Sequence, residues 1–165
     1  MSKFPILTHY SHEHVTSVRP IQPQRADAGP KPRGFWVSVD EGGRGWADFC
    51  QADDWNLHGL EYVHDVRLRE GANLLILTSA WDLDGFTEAF GVPYPKPGPW
   101  ASTYILWHRV AALYSGILIA PYVYARRLDG KASDWYHGWD CASGCIWDVG
   151  TIESITLRER VEVAA

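Results

Sequence analysis

Two short stretches concentrate the side chains able to do chemistry. HYSHEH, residues 9–14, carries three histidines in six positions, and WYHGWDCASGCIWD, residues 135–148, holds three tryptophans, two cysteines, a histidine and two aspartates in fourteen. Imidazole and thiolate are common zinc ligands, so His12 and His14, two apart on one face of a strand, could share an ion with His137, Cys141 or Cys145. The spacing argues against it. Cys-x-x-x-Cys lacks the paired two-residue spacings of zinc knuckles, so ordinary loop and core histidines are expected and no metal is assigned. Cys141, beside Asp140 and four residues from His137, also sketches a cysteine nucleophile with its base. Catalytic partners usually come from separate parts of a chain, so a thiol packed among aromatics is the expected state.

A third set is spread along the sequence. Ser38 interrupts the apolar run FWVSVD, and a hydroxyl buried in a strand must find a hydrogen bond. A backbone bond within the sheet would satisfy it. Alternatively, His9, Tyr10, Ser38 and Asp140 meet at strand ends in a cleft, where they face a polar ligand while tryptophans stack on its flat groups.

The elements that would hold these groups follow from hydrophobic period and breakers. FPILTHYS and GFWVSVD (34–40) read as strands, and GWADFCQADDW as a helix with Trp46, Phe49 and Cys50 at three- and four-residue spacing. LEYVHDVRL (60–68) is a strand with Tyr62, His64, Val66 and Leu68 on one face, and NLLIL is a buried one. Ser79 caps a helix to Phe90 that Gly91 ends. TYILWHRVAALYSG reads as a second helix with Thr103 as cap, a stripe through Leu106, Val110 and Leu113, and Gly116 as stop. ILIAPY is a central strand, and GCIWD and TIESITL close a mixed sheet of about six or seven strands, an α+β pattern. Two breaker-rich stretches, Arg19 to Gly34 and Gly91 to Trp100, each with four prolines, read as long loops, the second an exposed polyproline-like excursion.

With 165 residues the chain fits one domain, and its net charge of −5 excludes a basic face that grips duplex DNA by phosphate neutralisation. Arg126 with Arg127, or Lys31 with Arg33, could still touch a few phosphates. The start lacks a signal-peptide pattern and no stretch approaches the ~20 apolar residues of a membrane span. Three cysteines fit a reducing compartment, so a soluble cytoplasmic protein is expected. Nine tryptophans suit cores, ligand pockets and stacking surfaces alike.

The order of segments resembles the compact ADP-ribosyltransferase fold, as in DarT-type nucleic-acid ADP-ribosyltransferases, RNA 2′-phosphotransferases and small phage ADP-ribosyltransferases. LTHYS is similar to the early strand whose histidine or arginine holds the nicotinamide ribose, and GFWVS to the second strand that supports the nicotinamide. LYSGILIAPY resembles the lead-in to the strand that brings the acidic third motif. The resemblance implies a single domain over 1–165, α+β with a mixed, mostly antiparallel split sheet and a few short helices. It implies NAD as substrate, His9 and Asp140 as catalytic residues, and His9, Tyr10, Trp36, Ser38, Trp46 and Tyr62 around NAD. Where the family has a glutamate just ahead of the last-but-one strand, this chain has DCASGCIWD, with Ser143 and Gly144 at that place; Asp140 is the nearest carboxylate, and Asp148 and Glu153 lie beyond. The implied function is ADP-ribose transfer to a protein or nucleic-acid acceptor, in the host cytoplasm if the chain is phage-encoded. The alternatives are a non-catalytic interaction or inhibitor protein on the same fold, or an RNA 2′-phosphotransferase-like enzyme.

Overall fold

Apolar alternation turns the short runs of the sequence into one sheet in the computed structural model, which describes residues 4–42, 44–93, 103–127 and 134–162. The strands are β1 (Leu7–Ser11), β2 (Phe35–Ser38), β3 (Tyr62–Leu68), β4 (Leu74–Leu77), β7 (Gly116–Ile119), β8 (Ser143–Ile146) and β9 (Ile152–Arg160). Their order is β4-β7-β8-β2-β1-β3-β9, with only β4 and β7 parallel. A separate antiparallel ribbon pairs β5 (Gly91–Pro93) with β6 (Thr103–Ile105). With α1 (Trp46–Ala52), α2 (Ala80–Phe90) and α3 (Trp107–Ala111), this is an α+β domain with a large, mostly antiparallel sheet and few short helices, as the sequence predicts. Among the described residues no helix is long and apolar enough to cross a membrane.

Period-two alternation sends neighbouring residues to opposite faces, and both faces are covered. Ile117, Ile119 and Cys145 join an aromatic core with Leu83, Phe86, Trp107 and Trp135, under α2, α3 and the 3-10 turn Asp134–Gly138. Leu118 and Ile146 face the other way, onto Leu7, Phe35, Val37 and Val66. The helix predicted after Ser79 forms: the Ser79 hydroxyl accepts from the Asp82 N–H, and the Asp82 carboxylate takes the Thr78 N–H and hydroxyl.

The second predicted helix does not form as drawn. Thr103, Tyr104 and Ile105 are β-branched or aromatic and pair as strand β6, with Ile105 exchanging both backbone bonds with Gly29 at 3.0 Å. Helix α3 is then only five residues long, its buried side are Trp107 and Val110, and Leu113 of the predicted stripe is 59% exposed. Long-range strand pairing overrides the helical period here. Of the polyproline-like excursion, Gly91–Pro93 is strand β5 and the remainder lies outside the described residues.

The sheet is split at one joint. β1 makes five register pairs with β3, and β2 makes four with β8, but the register between β1 and β2 is the single pair Thr8 opposite Ser38. The halves β4-β7-β8-β2 and β1-β3-β9 meet there and diverge.

Close approach of strands fixes two glycines. A Cβ on Gly116 would lie 2.8 Å from the Cys145 carbonyl oxygen, and one on Gly144 would lie 2.5 Å from that of Ile117. Gly144→Ala should therefore destabilise the fold by about 1–3 kcal/mol. Gly85→Ala, on α2 where nothing lies within 4 Å of the added methyl, should stabilise it by about 0.5–1 kcal/mol. Urea unfolding of the two variants checks both signs.

Candidate active site at the split in the sheet

A cleft of about 580 Å³ opens where β1 and β2 diverge. It draws on three parts of the chain: His9 and Tyr10 from β1, Trp36 and Ser38 from β2, and Asp140 from the approach to β8, with Trp46 of α1 on its wall. These are six of the seven positions expected from the sequence. Tyr62, the seventh, is not brought to the cleft: on β3 it stacks on His14 at 6.3 Å beneath the Arg160 guanidinium at 5.2 Å.

His9 bridges the divergence. Its Nδ1 lies 2.8 Å from the Trp36 carbonyl oxygen. A carbonyl only accepts, so Nδ1 carries the proton and Nε2 is left with a lone pair. The ring stacks on Phe35 with centroids 4.2 Å apart. Burial, with His64 beside it, holds its pKa below the ordinary histidine value, so the imidazole is neutral at pH 7. His64 behind it is fully buried and satisfied as a neutral ring, Nδ1–H donating to the His9 carbonyl at 3.2 Å and Nε2 accepting the Val15 N–H at 3.0 Å. Its pKa too is lowered, first by burial and further by His14.

Ser38 is explained by a network rather than by a single sheet bond. Its hydroxyl accepts the Trp46 N–H at 2.8 Å, at the start of α1, and donates to Asp40 at 2.5 Å. Tyr10 donates to the other Asp40 oxygen at 2.9 Å. Burial, reinforced by Asp40, pushes the Tyr10 phenol well above its ordinary range, so it remains a donor. Ser38 thus spends its hydroxyl holding α1 against the cleft floor. Asp40, which the sequence reading passed over, is the acceptor that organises Tyr10 and Ser38; its signal was its place two residues after Ser38, at the strand exit. Lys31, read from sequence only as a phosphate contact, also lines the cleft, its ammonium 5.4 Å from the Trp36 ring centroid.

Asp140 is half-buried and is reached by Arg127 Nη2 at 3.3 Å. Ser143, where the sequence resemblance puts an acid, is paired across the ladder with Ser38 and gives its hydroxyl proton to the Cys141 carbonyl. The 135–148 segment is mainly core. Trp135 is fully buried and donates to Thr87 at 2.8 Å, and Trp147 donates to the Tyr114 carbonyl at 2.6 Å. Trp139 does both jobs, packing edge-on against Trp36 with centroids 4.9 Å apart and lining the cleft.

The histidines and cysteines of the two dense stretches are held apart from one another or engaged elsewhere, as the described residues show. β1 ends at Ser11, so His12 and His14 lie past the strand; His12 lines the cleft while His14 stacks on His64. His137 Nδ1 is engaged by the Arg127 carbonyl at 3.3 Å. Among the described residues no three His, Cys, Asp or Glu side chains gather as a metal site. The three cysteines are free and buried, and burial pushes the Cys141 thiol up to about 12, far from a thiolate at neutral pH.

Comparison of the chain with protein-family models, with curated proteins and with solved structures finds no match.

Two outcomes follow. Ser38→Ala strands the Trp46 N–H and one Asp40 oxygen and should cost about 1–3 kcal/mol in urea unfolding. His9 and His64 take up protons less readily folded than unfolded. Their contribution is therefore complete above the unfolded value of 6.5 and is lost as pH falls from there through the lowered folded-state values. The urea midpoint should drop between pH 7.5 and 5, and less steeply in His64→Gln.

Proposed function

We propose that the cleft binds NAD and transfers its ADP-ribose to a macromolecular acceptor. The observation that carries the reading is the convergence of His9, Ser38 and Asp140, from three separated segments, on one cleft walled by Trp36, Trp46 and Trp139. Flat indoles suit the nicotinamide ring, and neutral His9 offers Nε2 as an acceptor for a ribose hydroxyl. When the N-glycosidic bond breaks, the bonding electrons leave with nicotinamide and positive charge grows on the ribose. The Asp140 carboxylate would stabilise that charge and take the proton of the attacking acceptor group. The net acidity of the chain favours a protein acceptor over duplex DNA gripped by a basic face.

One observation favours a second reading, a non-catalytic binder on the same fold. A serine stands at the start of β8 where the resembling family has its glutamate, and Asp140 is tied to Arg127. Such a protein would keep the cleft and the partner surface without turnover.

Incubation with NAD labelled in the adenylate part, followed by nicotinamide release and acceptor labelling, separates the two. Turnover is expected, and His9→Ala and Asp140→Ala should each lower it by about 100-fold or more. NAD binding with no nicotinamide release from it, whatever acceptor is supplied, would leave the binder; no NAD binding by calorimetry would end the transferase reading.

A further inference from the structure

Tyr10 also borders a second cavity, of about 350 Å³, and is the one described residue that lines both. The floor of this cavity follows from strand register. Val63 of β3 pairs with Tyr10 of β1 on one side and with Glu159 of β9 on the other, and residues paired across strands share a face, so the three stand in a row. A β-bulge decides which residue of β9 ends that row. His64 pairs with Leu157 while Val63 pairs with Glu159, which makes Arg158 the extra residue. In a regular ladder Arg158 would stand opposite Val63. Instead its guanidinium is held by Asp65 at 2.7 Å and Thr8 at 3.3 Å, and a carboxylate takes the place of a cation beside the cavity. Ala47 of α1 and the buried Leu60, from the 3-10 turn Leu57–Leu60, complete the apolar lining.

Two carboxylates border this apolar space, Glu159 and Glu162. The arginines beside them in sequence are committed elsewhere. Arg158 belongs to Asp65, and Arg160, which lies over the Tyr62 ring, is taken by Glu61 through bonds of 2.9 and 2.6 Å. Glu162 adds only a longer-range pull on Arg160. Among the described residues neither Glu159 nor Glu162 has an ion-pair partner. Unpaired negative charge at the border of an apolar cavity draws in a cation that carries its own apolar body. The volume is at the lower end of the range for small-molecule sites, too small for a folded partner element and sufficient for a metabolite-sized ligand.

We propose that this cavity is a second binding site, which takes a small organic cation: an ammonium group on an aromatic or branched aliphatic body. The body lies on Val63, Leu60 and Tyr10, and the ammonium is placed by Glu159 and Glu162. Tyr10, whose hydroxyl is held by Asp40, is the partition, so the occupant sits one side chain away from the cleft. The assignment does not rest on the function proposed above.

Titration of ¹⁵N-labelled protein with phenethylamine, followed through backbone amide shifts, tests it, with 2-phenylethanol as the neutral analogue of the same shape. The amine should give saturable shifts at Ala47, Leu60 and Val63 with a Kd of about 1 mM or tighter. The alcohol should bind about three- to tenfold more weakly, the worth of two exposed carboxylates. The double variant Glu159→Gln, Glu162→Gln, which changes exposed residues only, should bring the amine down to the level of the alcohol. Ala47→Phe, which fills the space, should remove the binding of both; if it does not fold, the glutamine variant carries the test. Equal affinity for amine and alcohol in the wild-type protein would overturn the site, as would unchanged amine affinity in the glutamine variant or in a folded Ala47→Phe. So would saturable shifts confined to His9, Trp36 and Trp139 of the cleft, or no saturable shift up to about 20 mM amine.

Discussion

The structure depends on what satisfies one backbone carbonyl. On the β1 side of β2, the Trp36 oxygen would in a continuous sheet take an N–H from the neighbouring strand; here it takes the Nδ1–H of His9. Buried carbonyls are almost always paired, so the imidazole permits the strands to separate without leaving a polar group stranded. One pair of residues, Thr8 and Ser38, still ties the halves together. The same bond fixes the tautomer of His9, which lines the cleft, and leaves Nε2 unprotonated. His9 therefore both satisfies the carbonyl at the joint and lines the cleft, so one proton position serves the strand junction and shapes the wall of the cavity.

The supports around that joint are tuned to hold neutral or donor states. His64 works as a neutral ring because it donates to the His9 carbonyl and accepts from Val15, and a proton on Nε2 would oppose the Val15 N–H. Tyr10 and Ser38 both donate to Asp40, so that carboxylate organises the floor through two short bonds while α1 is anchored by the Trp46 N–H on Ser38. The tryptophans divide by depth: Trp135 belongs to the aromatic core, Trp139 reaches from it to the cleft, and Trp46 joins Phe49 and the exposed Trp55 in a second aromatic corner beside the mouth.

Much of this was legible in the residues because it is local. The strands FWVS and GILI carry their pattern in four residues each, and Ser79 announces its helix. A polar residue inside FWVSVD demanded a partner, and Ser38 has two. What was not legible depends on pairing across sequence. Nothing near Thr103 says that Ile105 will bridge to Gly29, so a helical period was read where a strand forms. Tyr62 shares a face with His64 in β3, but it sits beyond the cleft because the loop through His14 folds over it. Asp40, and the pairing of Arg127 with Asp140, were hidden for the same reason: the partners are Tyr10, 30 residues from Asp40, and Asp140, 13 from Arg127.

The position of Asp140 on the cleft wall sets the remaining balance. A carboxylate at the first residue of β8 would project from a strand whose ladder to β2 fixes it opposite Ser38, where the floor is already filled by two serine hydroxyls committed to Asp40 and the Cys141 carbonyl. Asp140 instead comes from three residues earlier, in the turn after Trp139, and needs an outside group to orient it. Arg127 supplies that through a single long contact, which is weaker than a strand but adjustable. A carboxylate positioned by a guanidinium responds to whatever else the guanidinium binds. In this chain, therefore, the placement of Asp140 depends on Arg127, where a carboxylate borne on the strand would be fixed by the ladder itself.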